Sequence, residues 1–200
     1  MPKYKILDLS NKGYGSHDIM EILENSDFTA LTSMDISFNP TDNGITYLAP
    51  EDFPNLVEIN ISYTAIDDLG FLQDLPSLRI ITANGLKITS LAQIAELTKI
   101  EELRIAESNV NNLNEIERLF NLRVLDISET LVDETELVKL VKLPNLTTLI
   151  VDEKHEALAS GILNKISESR LSNDSSHFFN KPKQPKPAET PNIEIHSLVL

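Results

Sequence analysis

The sequence predicts an α/β repeat protein, a solenoid whose short strands form one parallel sheet. The first observation is a triplet of apolar residues at positions 1, 4 and 6, which recurs seven times along the chain. The second is the spacing of these triplets, 27, 25, 22, 22, 22 and 24 residues, which is typical of stacked repeats. The third is that three central units share seven apolar positions, 1, 4, 6, 11, 14, 17 and 20. The units begin at Tyr4, Leu31, Leu56, Leu78, Ile100, Leu122 and Leu146.

Each unit combines two apolar periods. Positions 4 and 6 alternate with polar neighbours, which predicts a short strand. Positions 11 to 20 recur every three residues, which suits a 3₁₀ or tight irregular return segment. In the longer first unit, Ile19, Ile22 and Leu23 have helical spacing and predict a helix within 16–28, with Ser16 as its N-cap. The long segment 40–53 of the second unit is predicted to be a loop that closes on Phe53.

The pattern LxxLxLxxN, formed by positions 1, 4, 6 and 9, resembles the leucine-rich repeat. The 22-residue step resembles the short units of bacterial internalin-type proteins and of related intracellular regulators. The resemblance covers residues 1–154 and implies a right-handed, curved solenoid of about seven repeats with a concave parallel sheet. At position 9 the family usually has an Asn that bonds to the backbone of the turn, so we expect this ladder to be weak and to break at Leu86. Position 9 is occupied here by Lys12, Asn39, Thr64, Leu86, Ser108, Thr130 and Lys154.

Beyond the repeats, the sequence predicts a helix and then a tail. Leu158, Ile162 and Ile166 form one apolar helical stripe, which predicts a helix over 155–171. We interpret it as a cap over the last unit, since a terminal repeat needs a polar outer face. A helix offered to a partner is the alternative. Residues 172–200 are rich in Pro and Lys and predict a flexible tail. Its last eight residues, 193–200, are expected to add a strand to the sheet, to dock elsewhere or to remain free.

Composition and charge exclude several classes of protein. The absence of Cys excludes disulfides and thiolate catalysis and favours a reducing, cytoplasmic compartment. We expect no cleaved secretory signal and no membrane insertion, because the chain begins without an apolar signal core and has no run of 18 apolar residues. Residues 155–200 contain five basic and five acidic groups, so the whole net charge of −14 lies in 1–154. Such a surface disfavours nucleic acid and favours a basic protein surface as partner.

No motif indicates an enzyme. The four histidines lack the spacing of metal ligands, and the run of charges around His155 is better explained as the exposed end of a solenoid. The six glycines form no phosphate-binding loop. Asp8, Asp35 and Asp126 recur at position 5, which repeat copying and solvation explain better than paired catalytic carboxylates. We therefore expect no catalytic residue, no cofactor and no metal.

Position 8 lies at the rim of the predicted concave face and divides into two halves. Its N-terminal half contains two aromatic residues and its C-terminal half three glutamates, next to the flat, polar positions 5 and 7. Exposed aromatic residues beside a flat polar face are typical of binding hot spots. The alternatives are that the aromatic rings pack over the second-unit loop and that the glutamates are merely solvated. The predicted partner-binding residues are Phe38, Tyr63, Asp35, Asn60, Glu107, Glu129 and Glu153.

The resemblance and the predicted site together favour a monomeric, cytoplasmic, non-enzymatic protein–protein interaction module. Its concave face is expected to bind a protein or a peptide. Two alternatives stay open. The chain also resembles effectors of intracellular bacteria, which are translocated into a host cell through a C-terminal export signal. It also fits a targeting subunit of an enzyme, of the kind that regulates phosphatases or ubiquitin ligases.

Overall fold

The protein forms one open sheet of seven parallel strands, which are ordered in space as they are along the chain. The computed structural model describes the backbone of residues 5–45 and 47–179 and the side chains of residues 5–45 and 47–171. Each strand consists of positions 3, 4 and 5 of its unit, which confirms the predicted parallel sheet. The strands are β1 (Ile6–Asp8), β2 (Ser33–Asp35), β3 (Glu58–Asn60), β4 (Ile80–Thr82), β5 (Glu102–Arg104), β6 (Val124–Asp126) and β7 (Thr148–Ile150).

The register pairs each position with the same position of the next unit. Ile59, for example, lies opposite Met34 on one side and Ile81 on the other. Because side chains alternate between the two faces of a strand, position 4 of every unit points to the same face. The five central residues of this column are all buried, namely Met34, Ile59, Ile81, Leu103 and Leu125. The apolar column is the inner layer of the core, and the return segments close over it.

The first unit returns through a true helix, α1 (Ser16–Glu24). Its N-cap is Gly15, whose N–H donates to the Asp18 carboxylate at 2.8 Å. The prediction of Ser16 as N-cap is therefore wrong. The hydroxyl of Ser16 instead donates to Oδ1 of Asp42 at 2.5 Å and so ties the helix to the loop of the second unit.

The second unit returns through the predicted loop. The described residues of segment 40–53 contain neither helix nor strand. The loop closes on Phe53, which is buried and stacks on Phe28 with ring centroids 6.0 Å apart. The loop 40–53 thereby contributes a buried aromatic contact to the core and packs against the solenoid.

The three 22-residue units return through single 3₁₀ turns, Gly70–Leu72, Ala92–Ile94 and Ile116–Arg118. This is the structure that the three-residue apolar period predicts. The sixth unit is two residues longer and forms a one-turn helix, α2 (Glu134–Leu137), followed by the 3₁₀ segment Val138–Lys142. Asp133 caps α2 by accepting the N–H groups of Thr135 and Glu136 at 2.9 and 3.0 Å.

A third helix, α3 (Glu156–Phe179), covers the end of the core beside β7. Ile162 and Ile166 are buried in the core, and Leu158 is partly buried against it. Arg170 donates from its guanidinium to the carbonyl of Leu146 at 2.9 Å and also to the carbonyl of Pro144. The helix is thus held to the last unit by apolar packing and by hydrogen bonds.

The helix α3 continues eight residues beyond its predicted end at residue 171. Residues 172–179, which the sequence analysis includes in the tail, are therefore helical, and the flexibility of the tail stays a prediction. No glycine or proline lies in 172–179, and the first proline that disfavours helix in the residue before it is Pro182. Residues 180–200, including the apolar segment 193–200, lie outside the described part of the chain. Within 5–45 and 47–179, none of the helices has the length and apolar character that crossing a membrane requires.

Position 9 forms the partial ladder that its residues allow. Thr64 and Thr130 each donate a hydroxyl hydrogen bond to the carbonyl three residues earlier, at 2.8 and 2.7 Å. Leu86 is buried and interrupts the series, as expected. The buried hydroxyl of Ser108 has no hydrogen-bond partner among the described residues. Asn39 therefore carries most of the polar bonding at this position.

Candidate functional site

Position 8 is in the left-handed backbone conformation in six successive units, with φ between 52° and 67°. This conformation turns the chain at the carboxyl end of each strand, and for a residue other than glycine it costs about 1–2 kcal/mol. Asn and Gly tolerate it best, so Asn11 and Gly85 are a sequence signal for this turn that the apolar pattern does not reveal. We call five of these residues the ridge, namely Phe38, Tyr63, Gly85, Glu107 and Glu129.

Polar side chains on the sheet face form hydrogen bonds that support the turns of the ridge. Oδ1 of Asp35 accepts two hydrogen bonds from Ser37, one from its N–H at 2.8 Å and one from its hydroxyl at 2.6 Å. Oδ1 of Asn60 accepts the N–H of Ser62 at 3.1 Å, while its amide donates to Oδ2 of Asp35 at 2.9 Å. The same carboxylate-to-serine bonds recur at Asp8–Ser10 and Asp126–Ser128. The half-buried Asp35 and Asn60 thus fix the turns that carry the aromatic residues.

The two aromatic residues of the ridge stack on each other. The ring centroids of Phe38 and Tyr63 are 4.7 Å apart, and the ring planes differ by 19°. The stack remains open to solvent, since Phe38 is 56% exposed and Tyr63 is 39% exposed. The structure therefore brings these two predicted site residues together as one exposed apolar surface.

Tyr63 also spans the next unit and reaches the first glutamate of the ridge. Its hydroxyl donates to Oε1 of Glu107 at 2.6 Å. Its ring passes over Gly85, where an added Cβ would lie 2.6 Å from Cε1 of Tyr63. The hydrogen bond to Glu107, followed by desolvation and the negative charges of Glu107 and Glu129, raises the pKa of Tyr63. The hydroxyl therefore remains a hydrogen-bond donor at neutral pH. The stack on Phe38 and the hydrogen bond to Glu107 together hold the ring in place.

Replacing Gly85 by alanine is expected to displace the Tyr63 ring. The new Cβ meets the ring, so the hydrogen bond to Glu107 is lost, and the left-handed backbone adds a cost of about 1 kcal/mol. The measurement is the NOE between the Phe38 and Tyr63 rings, which Gly85→Ala should abolish. Gly13→Ala is the matched control, because Gly13 has φ of +74° with nothing within 4 Å of an added Cβ. Loss of the NOE in both variants would contradict this role of Gly85.

The glutamates divide into two groups. Glu107 and Glu129 lie in the left-handed turns, and neither takes part in an ion pair of the described chain. The turn at Glu129 is fixed by its N–H, which donates to Oδ1 of Asp152 at 2.6 Å. Glu153 lies instead in the 3₁₀ turn Glu153–His155, outside the left-handed series. Among the described residues, no group of three or more His, Asp or Glu side chains is placed to hold a metal ion.

Solved structures of other proteins share this architecture. An internalin, InlF, from Listeria monocytogenes aligns with 68% of this chain and 46% of its own, with a TM-score of 0.52 and 17% sequence identity. A leucine-rich-repeat protein from Leptospira interrogans aligns with 73% of this chain and 38% of its own, with a TM-score of 0.54 and 21% identity. The fold is the leucine-rich-repeat solenoid. This chain thus spans less than half the length of either structure. No protein-family model matches this leucine-rich-repeat sequence, and no curated protein matches it.

Proposed function

We propose that this leucine-rich-repeat solenoid is a non-enzymatic protein-binding module and that the ridge is the centre of its contact surface. The observation that carries the proposal is the exposed Phe38–Tyr63 stack. Aromatic residues supply a large contact area at a low cost in conformational entropy. Because the bond from Tyr63 to Glu107 already holds one ring, little further freedom is lost when a partner binds.

The charge of the ridge and of the sheet face favours a basic partner. Glu107 and Glu129 take no part in the ion pairs of the described chain, and Arg104 of β5 is paired with Glu102 at 2.6 Å. The field around a chain with a net charge of −14 attracts a basic protein or peptide and disfavours nucleic acid. We propose Asp35 and Asn60 as the polar border of the contact on the concave face, and Glu153 as the outer end of the acidic row.

The proposal includes three further properties of the molecule. We propose that it acts as a monomer, that it works in the cytoplasm, and that it needs neither cofactor nor metal. The solenoid supports a binding role because it presents an open surface, whereas small-molecule chemistry prefers a closed pocket. The rigid sheet also supports this role, since seven strands in one register hold the contact residues in fixed positions.

Mutation of the two halves of the ridge is expected to have different kinetic effects on binding. Phe38→Ala or Tyr63→Ala should weaken the complex by about 2 kcal/mol, roughly thirtyfold, because the apolar anchor is lost. Glu107→Gln and Glu129→Gln should slow association and flatten its salt dependence, with a smaller effect on dissociation. The measurement is surface-based or stopped-flow kinetics with the partner isolated by affinity purification and mass spectrometry.

Phe120→Ala is the matched control for the aromatic variants. Phe120 is 48% exposed but lies in the return segment of the fifth unit, away from the ridge. If Phe38→Ala and Tyr63→Ala leave the affinity unchanged, the contact surface lies elsewhere than the ridge. An association rate independent of salt would contradict the proposal that Glu107 and Glu129 attract the partner during association.

A further inference from the structure

Two neighbouring grooves on the convex side of the solenoid share one wall, the side chain of Tyr47. The first groove has a volume of about 470 Å³ and lies between the second-unit loop and the return segments of the third and fourth units. The second has a volume of about 210 Å³ and lies between α1 and the same loop. Neither groove belongs to the ridge, which follows the carboxyl ends of the strands. Tyr47 therefore lines two concave surfaces that the proposed ridge contact does not use.

Tyr47 is accessible and lies near the negative charges of Glu51 and Asp74. The side chain is 48% exposed, and its hydroxyl has no hydrogen-bond partner among the described residues. Partial desolvation, followed by the charges of Glu51 and Asp74, raises the pKa of Tyr47. An exposed ring beside carboxylates attracts a cation to its face.

The first groove combines this ring with groups that bind a guanidinium. Asp68 and Asp74 contribute carboxylates, Gln73 and Gln93 contribute amides, and Phe71 forms part of the floor. Asp74 takes part in no hydrogen bond or ion pair of the described chain, and no Lys or Arg lines the groove. A planar guanidinium can stack on an aromatic ring while its fork of N–H groups donates to carboxylate and amide oxygens.

The second groove is mainly apolar. Its wall is formed by Met20, Leu23, Leu48 and Phe53, and its rim carries the carboxylates of Glu24 and Asp52. Its volume is suited to a single aliphatic side chain, and no Lys or Arg lines it either. The two grooves thus offer an acidic compartment and a mainly apolar compartment, and Tyr47 lines both.

We propose that this convex surface is a second protein-binding site, which takes an extended peptide segment with an aliphatic residue and an arginine two positions apart. Side chains that contact opposite sides of a ring lie about 7 Å apart, twice the carbon contact distance of roughly 3.5 Å. Residues i and i+2 of an extended segment point to the same side and are separated by about 6.8 Å. The segment therefore straddles Tyr47, with the arginine in the first groove and the aliphatic side chain in the second.

The test is an NMR titration of the ¹⁵N-labelled full chain with the peptide acetyl-Leu-Gly-Arg-amide. Shift changes should be concentrated at the amides of Asn43, Leu48, Asp74 and Gln93. Replacing arginine in the peptide by the uncharged citrulline should raise the Kd at least fivefold. In the protein, Tyr47→Ala and Asp74→Asn should each raise the Kd at least threefold. Phe120→Ala, at a ring of equal exposure elsewhere on the chain, should leave the Kd unchanged.

Two further variants separate the effect of the Tyr47 ring from loss of stability and from binding at the ridge. Tyr47→Leu retains bulk at the site and removes the ring, so weakened binding with an unchanged melting temperature assigns the effect to the aromatic face. Phe38→Ala should leave the titration unaltered, which separates this site from the ridge. Equal binding of the citrulline peptide, unchanged affinity in Tyr47→Ala, or shift changes centred on the ridge would each overturn the proposal.

Discussion

Replacement of Asn39 by alanine is expected to lower the free energy of unfolding by about 3 kcal/mol. The side chain is 3% exposed and fastens the first unit to the second. Its oxygen accepts the N–H groups of Lys12 and Tyr14, each at 3.0 Å. Its amide donates to the carbonyls of Leu9, Ile36 and Ser37 at 2.8, 2.9 and 3.2 Å. Alanine removes the side-chain partner of these partly buried backbone groups, although the carbonyl of Ser37 keeps the N–H of Asn11 at 2.9 Å. A buried group left without a partner costs about 1–3 kcal/mol.

The measurement is urea unfolding followed by circular dichroism, with other position 9 residues as a matched series. Thr64→Val keeps the shape of the side chain and removes one hydrogen bond, so it should cost about 1 kcal/mol. Ser108→Ala removes a hydroxyl without a partner among the described residues and should cost close to nothing. Equal losses in Asn39→Ala and Ser108→Ala would contradict the role of Asn39 as the anchor of the ladder.

Replacement of Ile162 by alanine is expected to lower the free energy of unfolding by about 3 kcal/mol. Ile162 is buried where α3 covers the last unit, so the shorter side chain leaves a cavity against the core. Lys165→Ala on the exposed side of α3 is the control and should change stability by less than about 0.5 kcal/mol. Thermal unfolding of the three proteins under identical conditions gives the comparison.

Removal of residues 155–200 tests the same contact more severely. The truncation exposes Leu146, Leu149 and Val151 at the end of the solenoid and should cost several kcal/mol. It should also favour association of the shortened chain, since a bare solenoid end is apolar. An unchanged melting temperature with no association would indicate that α3 is a helix for a partner rather than a cap.

Some of the architecture follows directly from the sequence. The triplet at positions 1, 4 and 6 predicts the strands because alternation places two side chains of each unit in the core. Recurrence at 11, 14, 17 and 20 predicts the 3₁₀ turns such as Ala92–Ile94. The exposed pair Phe38 and Tyr63 is also predictable, because equal positions of neighbouring units become neighbours in a parallel sheet.

Other features depend on contacts that no single unit encodes. The N-cap of α1 moves to Gly15 because Ser16 finds a partner in Asp42, 26 residues away. The role of Gly85 arises from the Tyr63 ring of the preceding unit, so the glycine alone does not reveal it. The polar composition of 172–179 resembles a tail and does not reveal that α3 extends through it, although no residue in 172–179 breaks a helix.

Photo-crosslinking from the ridge tests most directly whether it is the surface that binds a protein. A photoreactive phenylalanine is placed at position 38 or, as a control of similar exposure, at position 120, and both proteins are irradiated in an extract of the cells that produce the chain. One dominant adduct is expected from residue 38. It should disappear when the same chain also carries Tyr63→Ala, and residue 120 should give no such adduct. An adduct that forms from position 120, or one from position 38 that persists with Tyr63→Ala, would contradict the proposal that the ridge is the binding surface.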